Sequence, residues 1–143
     1  MLSFKIEYSI RILVELKNKE LAGIMSVPVV WLKSICGNDA NGLSIVMRIL
    51  RNLEWVNYDK STYLCSINSN NVNIDTLSLY DLCVQVDEGS KSLAHSLSND
   101  NTGKELARIF KDIKLSQFAG NSGSKPEENP KKRKNAKTIL KNA

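Results

Sequence analysis

Asp39-Ala40-Asn41-Gly42-Leu43-Ser44-Ile45-Val46-Met47-Arg48-Ile49-Leu50-Arg51-Asn52-Leu53 is the stretch on which the fold of this chain turns. At about 100° per residue, Leu43, Val46, Met47, Leu50 and Leu53 fall on one arc. Asn41, Ser44, Arg48, Arg51 and Asn52 fall on the opposite arc, and Ile45 and Ile49 lie on one border. The pattern predicts a helix over 40–53 with one face for a core and one for an outside partner. Asp39 is its N-cap. Just upstream, Gly37 ends an earlier helix, because glycine takes the left-handed stop cheaply, and Asn38-Asp39-Ala40 makes the turn. That earlier helix opens at Ser26 as N-cap, with Pro28 in its first turn, where a missing donor costs nothing. It continues through Val29-Val30-Trp31-Leu32 to Ile35-Cys36. A helix, a short turn containing glycine and a second helix form the helix-turn-helix pattern.

Working outward, residues 4–19 read as a first helix capped by Ser3, with Ile6, Ile10, Leu13 and Leu16 as its apolar stripe. Lys17-Asn18-Lys19 puts positive charge at its C-terminal end, where the helix dipole favours it. Downstream, 55–58 and 62–65 flank the turn-forming Asp59-Lys60-Ser61 and read as a hairpin. Three helices and then a hairpin over residues 4–67 is the order of a winged helix-turn-helix, which offers one exposed helix to the major groove of DNA. The expected fold is mainly α with a small β-hairpin. Residues 67–73 read as an Asn/Ser-rich connector. Thr76 or Ser78 caps a helix to about Val86, a polar loop covers 90–101, and a last amphipathic helix runs from Thr102 to about Phe118. A flexible linker over 119–124 leads into the Lys-rich remainder, so the expected organisation is 1–70, 71–119 and a disordered tail over 120–143.

A chain of 143 residues accommodates one domain with extensions. No run of eighteen apolar residues is present, so no membrane span is expected. The N-terminal stretch lacks a signal-peptide core. Cys36, Cys65 and Cys83 are widely spaced among apolar residues and read as reduced packing thiols, which together give an expectation of a cytoplasmic protein. The net charge of +5 resides in residues 120–143, with seven Lys/Arg against two Asp/Glu, while residues 1–119 balance at 13 of each. Catalysis finds little footing: His95 is the sole histidine, no nucleophile pair or glycine-rich phosphate loop stands out, and no Cys/His set has metal-ligand spacing. The expectation is a non-enzyme without a cofactor.

Two stretches resemble the bacterial winged-helix transcription regulators of the Rrf-two family. Lys5-Ile6-Glu7-Tyr8-Ser9-Ile10-Arg11-Ile12-Leu13 is similar to the family's opening K-x-x-Y-A-L-R-A-L. Leu77-Ser78-Leu79-Tyr80-Asp81-Leu82-Cys83-Val84-Gln85-Val86-Asp87-Glu88-Gly89 is similar to the I-T-L-x-D-V-x-x-A-V-E-G that follows the wing. Between them, 43–56 matches the apolar spacing of the recognition helix, so the resemblance covers about 3–118 in order. It implies a homodimer built through the C-terminal helix, with Leu106, Ile109, Phe110 and Ile113 in the dimer face, and a repressor on two-fold sites in double-stranded DNA. By position it implies Lys5, Tyr8 and Arg11, then Asn41, Ser44 and Arg48, near DNA. Three departures stand out. The loop that carries cluster cysteines in iron–sulfur members has none here, so no cluster is expected. The hairpin tip is short and net neutral instead of long, glycine-rich and basic. Ile45 replaces a Glu or Gln common on the reading face.

Each candidate carries two readings. Arg48 and Arg51 suit bidentate contact with guanine, or else they solvate the outer face of the helix. Asn41 and Ser44 lie where such helices meet bases, or Asn41 caps. Lys5, Tyr8 and Arg11 suit phosphate contacts that position the domain, or Tyr8 is a core-edge aromatic. Trp31, Trp55, Tyr58 and Tyr63 read as packing residues. Lys131-Lys132-Arg133-Lys134 is either a non-specific phosphate binder or a solubilising end. The rival to the DNA reading is an interaction module whose helix-three face, with Ile45 and Ile49, binds a protein partner.

Overall fold

The computed structural model describes residues 3–87 and 101–123. Helix α1 (Phe4–Leu21) starts where Ser3 accepts the Ile6 amide. It buries Ile6, Ile10, Leu13 and Leu16 as expected, and also Ile12 and Val14 on its other side. It is therefore the central rod of the fold, packed on two sides instead of one. The Ser9 hydroxyl, fully buried on it, donates to the Lys5 carbonyl at 2.6 Å, which removes the cost of an unpaired polar group.

Strand β1 (Val27–Pro28) follows, then α2 (Trp31–Ile35), α3 (Ala40–Asn52), β2 (Val56–Asp59), β3 (Leu64–Ile67) and α4 (Leu79–Gln85). Two further helices, α5 (Asn101–Asp112) and α6 (Ser116–Gly123), complete the described chain. The protein is mainly helical with a small antiparallel sheet of order β1-β3-β2. Val56 and Ile67, partners across β2 and β3, are buried with Cys65, so one face of the sheet lies on the core beneath α1. No helix among the described residues is long and apolar enough to cross a membrane.

Several expectations are corrected. Ser26 and Pro28 do not open a helix. Val27 pairs with Cys65 and is buried, and Pro28 sits on the sheet edge, where its missing donor is tolerated. Helix α2 shrinks to one short stretch whose N-cap, Val30, makes no side-chain bond. The hairpin strands are 56–59 and 64–67, so Ile67 belongs to β3 and not to the connector. The tip lengthens because the Asp59 carboxylate accepts the Ser61 amide at 2.9 Å and its carbonyl accepts the Tyr63 amide at 2.8 Å.

The last expected helix is broken. Between α5 and α6 the chain pairs with the segment that leads into α4: the Leu79 amide, at the first residue of α4, donates to the Ile113 carbonyl at 2.8 Å and the Leu115 amide to the Leu77 carbonyl at 3.0 Å. Leu115 is fully buried there, and Phe118 and Ala119 pack against the core. The expected linker over 119–124 is helical as far as Gly123, held by this packing. Ser78, not Thr76, caps α4 in a capping box with Asp81. The expected polar loop over 90–101, with His95 (Asn101 excepted, which opens α5), and the Lys-rich tail from 124 on lie outside the described residues.

Candidate nucleic-acid interface

The start of α3 is fixed by one carboxylate. Asp39 caps the helix, accepting the Gly42 amide at 2.9 Å on one oxygen and the Tyr8 hydroxyl at 2.9 Å on the other. These two donors, the Gly42 amide first, hold Asp39 below the usual carboxylate range, and the same bond raises the Tyr8 hydroxyl above its ordinary value. Gly42 makes the arrangement fit, since a Cβ there would lie 2.4 Å from the Asp39 Oδ2 and 2.7 Å from the Tyr8 ring. The Tyr8 hydroxyl is thus committed to positioning α3 against α1.

From this anchored start, α3 buries Leu43, Val46, Met47 and Leu50 and exposes Asn41, Ser44 and Arg48. Leu53, the helix C-cap, is half-buried against the core. Arg51 is half-buried, its guanidinium carbon 5.9 Å from the centre of the Tyr58 ring, so it leans toward the hairpin. Ser44, Arg48 and Arg51 line, with Val29 and Tyr58, a groove of about 310 Å³ between α3 and the sheet. Ile45 is exposed and Ile49 packs against the core.

The electrostatics differ from one element to the next. The five ion pairs among the described residues all lie on α1 and α5: Arg11–Glu7, Lys17–Glu20, Lys19–Glu15, Arg108–Glu105 and Arg108–Asp112. No described partner of that kind engages Lys33, Arg48, Arg51 or Lys60. The carboxylates of the same region are bonded internally, Asp39 as above and Asp59 by Ser61, which lowers both. The face made by α2, α3 and the hairpin tip therefore presents cations without ion-pair partners among the described residues, beside two carboxylates that are hydrogen-bonded within the chain and held ionised.

The candidates implied on α1 engage different partners. Arg11 pairs with Glu7 at 2.8 Å and donates to the Ile35 carbonyl at 3.4 Å. Lys5 is half-buried and Tyr8 is tied to Asp39. On α5, Leu106 and Ile109 are exposed, whereas Phe110 and Ile113 pack against the core of their own chain, Ile113 beyond the end of the helix. All three thiols are buried; burial pushes Cys36 and Cys65 up to about 11 and raises Cys83. No described set of His, Cys, Asp or Glu is placed to hold a metal ion.

Two residues read as packing aromatics are not. Trp55 and Tyr58 do pack against the core, but Trp31 is 58% exposed and Tyr63 is 63% exposed. Their exposure follows from the corrected elements. The short α2 turns Leu32, not Trp31, inward, and the longer hairpin tip carries Tyr63 out of the strand. No family model, curated protein or solved structure matches the chain.

Proposed function

We propose that this chain is a winged helix-turn-helix protein that binds double-stranded DNA, with α3 in the major groove and the β2–β3 hairpin as its wing. The observation that carries the reading is that Lys33, Arg48, Arg51 and Lys60, around α3, have no ion-pair partner among the described residues, whereas four of the eight other described cations do. Arg48, exposed on the outer face near the groove, is in position to reach a base edge. Arg51, drawn toward Tyr58, is better placed for a phosphate. Lys5 and Arg11 supply backbone contacts from α1, and Tyr8 supports binding indirectly by fixing the start of α3. The resemblance to the Rrf-two regulators extends the proposal to a cytoplasmic homodimeric transcription regulator, a repressor without an iron–sulfur cluster. In it, Leu106 and Ile109 meet a second copy and Phe110 and Ile113 support α5 from below.

The test is Arg48→Ala measured on a selected binding site and on unrelated duplex. Loss of ~1–3 kcal/mol confined to the selected site marks a base contact, and equal loss on all sequences marks a phosphate contact. No loss on either would refute the placement of α3. The exposed Ile45 favours a second reading, a protein-binding face on the same helix, in which a partner co-purifies in stoichiometric amount and DNA is not retained.

A further inference from the structure

Apolar surface is concentrated where the hairpin tip meets the start of α2. Val30 is 63% exposed, beside the exposed Trp31 and Tyr63. The sheet brings these residues together, because the Val29 amide donates to the Tyr63 carbonyl at 2.9 Å. Val29 also lines the groove with Arg48 and Arg51, so this corner adjoins the polar face of α3. Tyr63 sits at φ 59°, in the left-handed region that asparagine or glycine adopts at less cost than a bulky aromatic. A large side chain held in a strained conformation and mostly out of the core has its use outside folding.

The surrounding charges say what partner fits. Lys33 on α2 and Lys60 at the hairpin tip are near neighbours of the two aromatics in sequence, and Arg48 and Arg51 line the groove that Val29 adjoins, none of the four ion-paired among the described residues. The tip's carboxylate, Asp59, accepts the Ser61 hydroxyl and stays ionised, so it offsets Lys60 and the positive excess of this corner lies with Lys33, Arg48 and Arg51. Exposed aromatics on a corner that adjoins the arginines of α3 suit a nucleic acid: the cations reach phosphates while the rings pack on sugars and on the faces of partly unstacked bases. We propose that Trp31 and Tyr63 pack on the sugar and base edges of duplex DNA beside α3, so that the hairpin contributes apolar contact in place of the charge it lacks. This rests on the DNA reading above and adds the source of the hairpin's affinity.

The experiment titrates full-length protein into a labelled random-sequence duplex over a series of salt concentrations. Trp31→Ala and Tyr63→Asn should each weaken binding roughly tenfold. The slope of log affinity against log salt should stay at the parent's value, because losing an apolar contact changes no counterion release. Lys60→Ala or Arg48→Ala should instead flatten the slope by about 0.9 if the cation neutralises a phosphate. Tyr63→Asn should melt no lower than the parent, since asparagine relieves the φ of 59°, which separates lost contact from lost fold. Unchanged affinity in both aromatic variants, or a flattened slope in them, would overturn the inference; the first outcome would leave this surface to a protein partner. A parent that binds no duplex even at low salt would overturn the DNA reading itself, and this inference with it.

Discussion

Gly42→Ala reverses the usual effect of its substitution. Inside a helix, alanine is favoured over glycine by about 1 kcal/mol. At position 42 the added methyl carbon would lie 2.4 Å from the Asp39 Oδ2, 2.7 Å from the Tyr8 Cε2 and 2.9 Å from the Asp39 Cγ. Those atoms are side-chain ends, yet they are not loose. The Asp39 carboxylate is held by the Gly42 amide and the Tyr8 hydroxyl, and the Tyr8 ring is held edge-on by Phe4 at 5.5 Å. Relief means moving the cap or swinging α1 away from α3. Overpacking of this kind costs ~1–3 kcal/mol, which exceeds the propensity gain, so the net is a loss of about 1 kcal/mol and a fall in Tm of a few degrees. The assay is urea unfolding followed by circular dichroism, for Gly42→Ala alone and in a Tyr8→Ala background. With the ring removed, one of the clashes is gone and the Asp39 carboxylate, released from the Tyr8 hydroxyl, is free to turn away from the methyl, so the loss should shrink by at least ~0.5 kcal/mol. A raised midpoint in the single variant, or an equal loss in both backgrounds, would refute the account of how α3 is seated.

Other outcomes follow from the same structure. Leu115→Ala, at a fully buried site between α5 and α6, should cost ~2–5 kcal/mol in urea unfolding, and a cost below about 1 would mean the C-terminal segment does not seal the core. Because burial raises the Cys36 and Cys65 thiols to about 11, native protein at pH 8 should react far more slowly with Ellman's reagent than protein in urea; equal rates would contradict the burial. The same shift gives stability that is complete below the ordinary thiol value of 9.0 and declines as pH rises from there toward 11, because the unfolded chain ionises first; a urea midpoint that held or rose over that range would contradict it. Leu106→Glu with Ile109→Glu should leave the fold intact, as both are exposed, and under the proposed homodimer should shift sedimentation from dimer to monomer. Unchanged sedimentation of a dimer would place its interface elsewhere.

The parts legible in the sequence were those decided locally. The apolar arc of α3, its Asp39 cap and the existence of a hairpin all follow from residues within a few positions of one another. What escaped was decided at long range. Val27-Pro28 is a two-residue strand with no periodicity of its own, formed because β3 offers a partner. The break at 113–115 has no glycine or proline to announce it and is enforced by bonds to Ile74, Leu77 and Leu79. The bond from Tyr8 to Asp39 spans 31 positions, so nothing near Tyr8 could distinguish a DNA contact from a helix brace. Trp31 and Tyr63 were misread because their exposure depends on where α2 begins and how long the hairpin tip is. The Asp59–Ser61 pair, which extends the tip, was the one local signal for Tyr63.

Selection from sheared genomic DNA at near-physiological salt tests the central claim most directly, with full-length protein and Arg48→Ala/Arg51→Ala compared side by side. A shared two-fold site retained by the parent and lost by the double variant is the predicted result. Retention without any common site, or the same site held equally by both proteins, would contradict the assignment of sequence reading to α3.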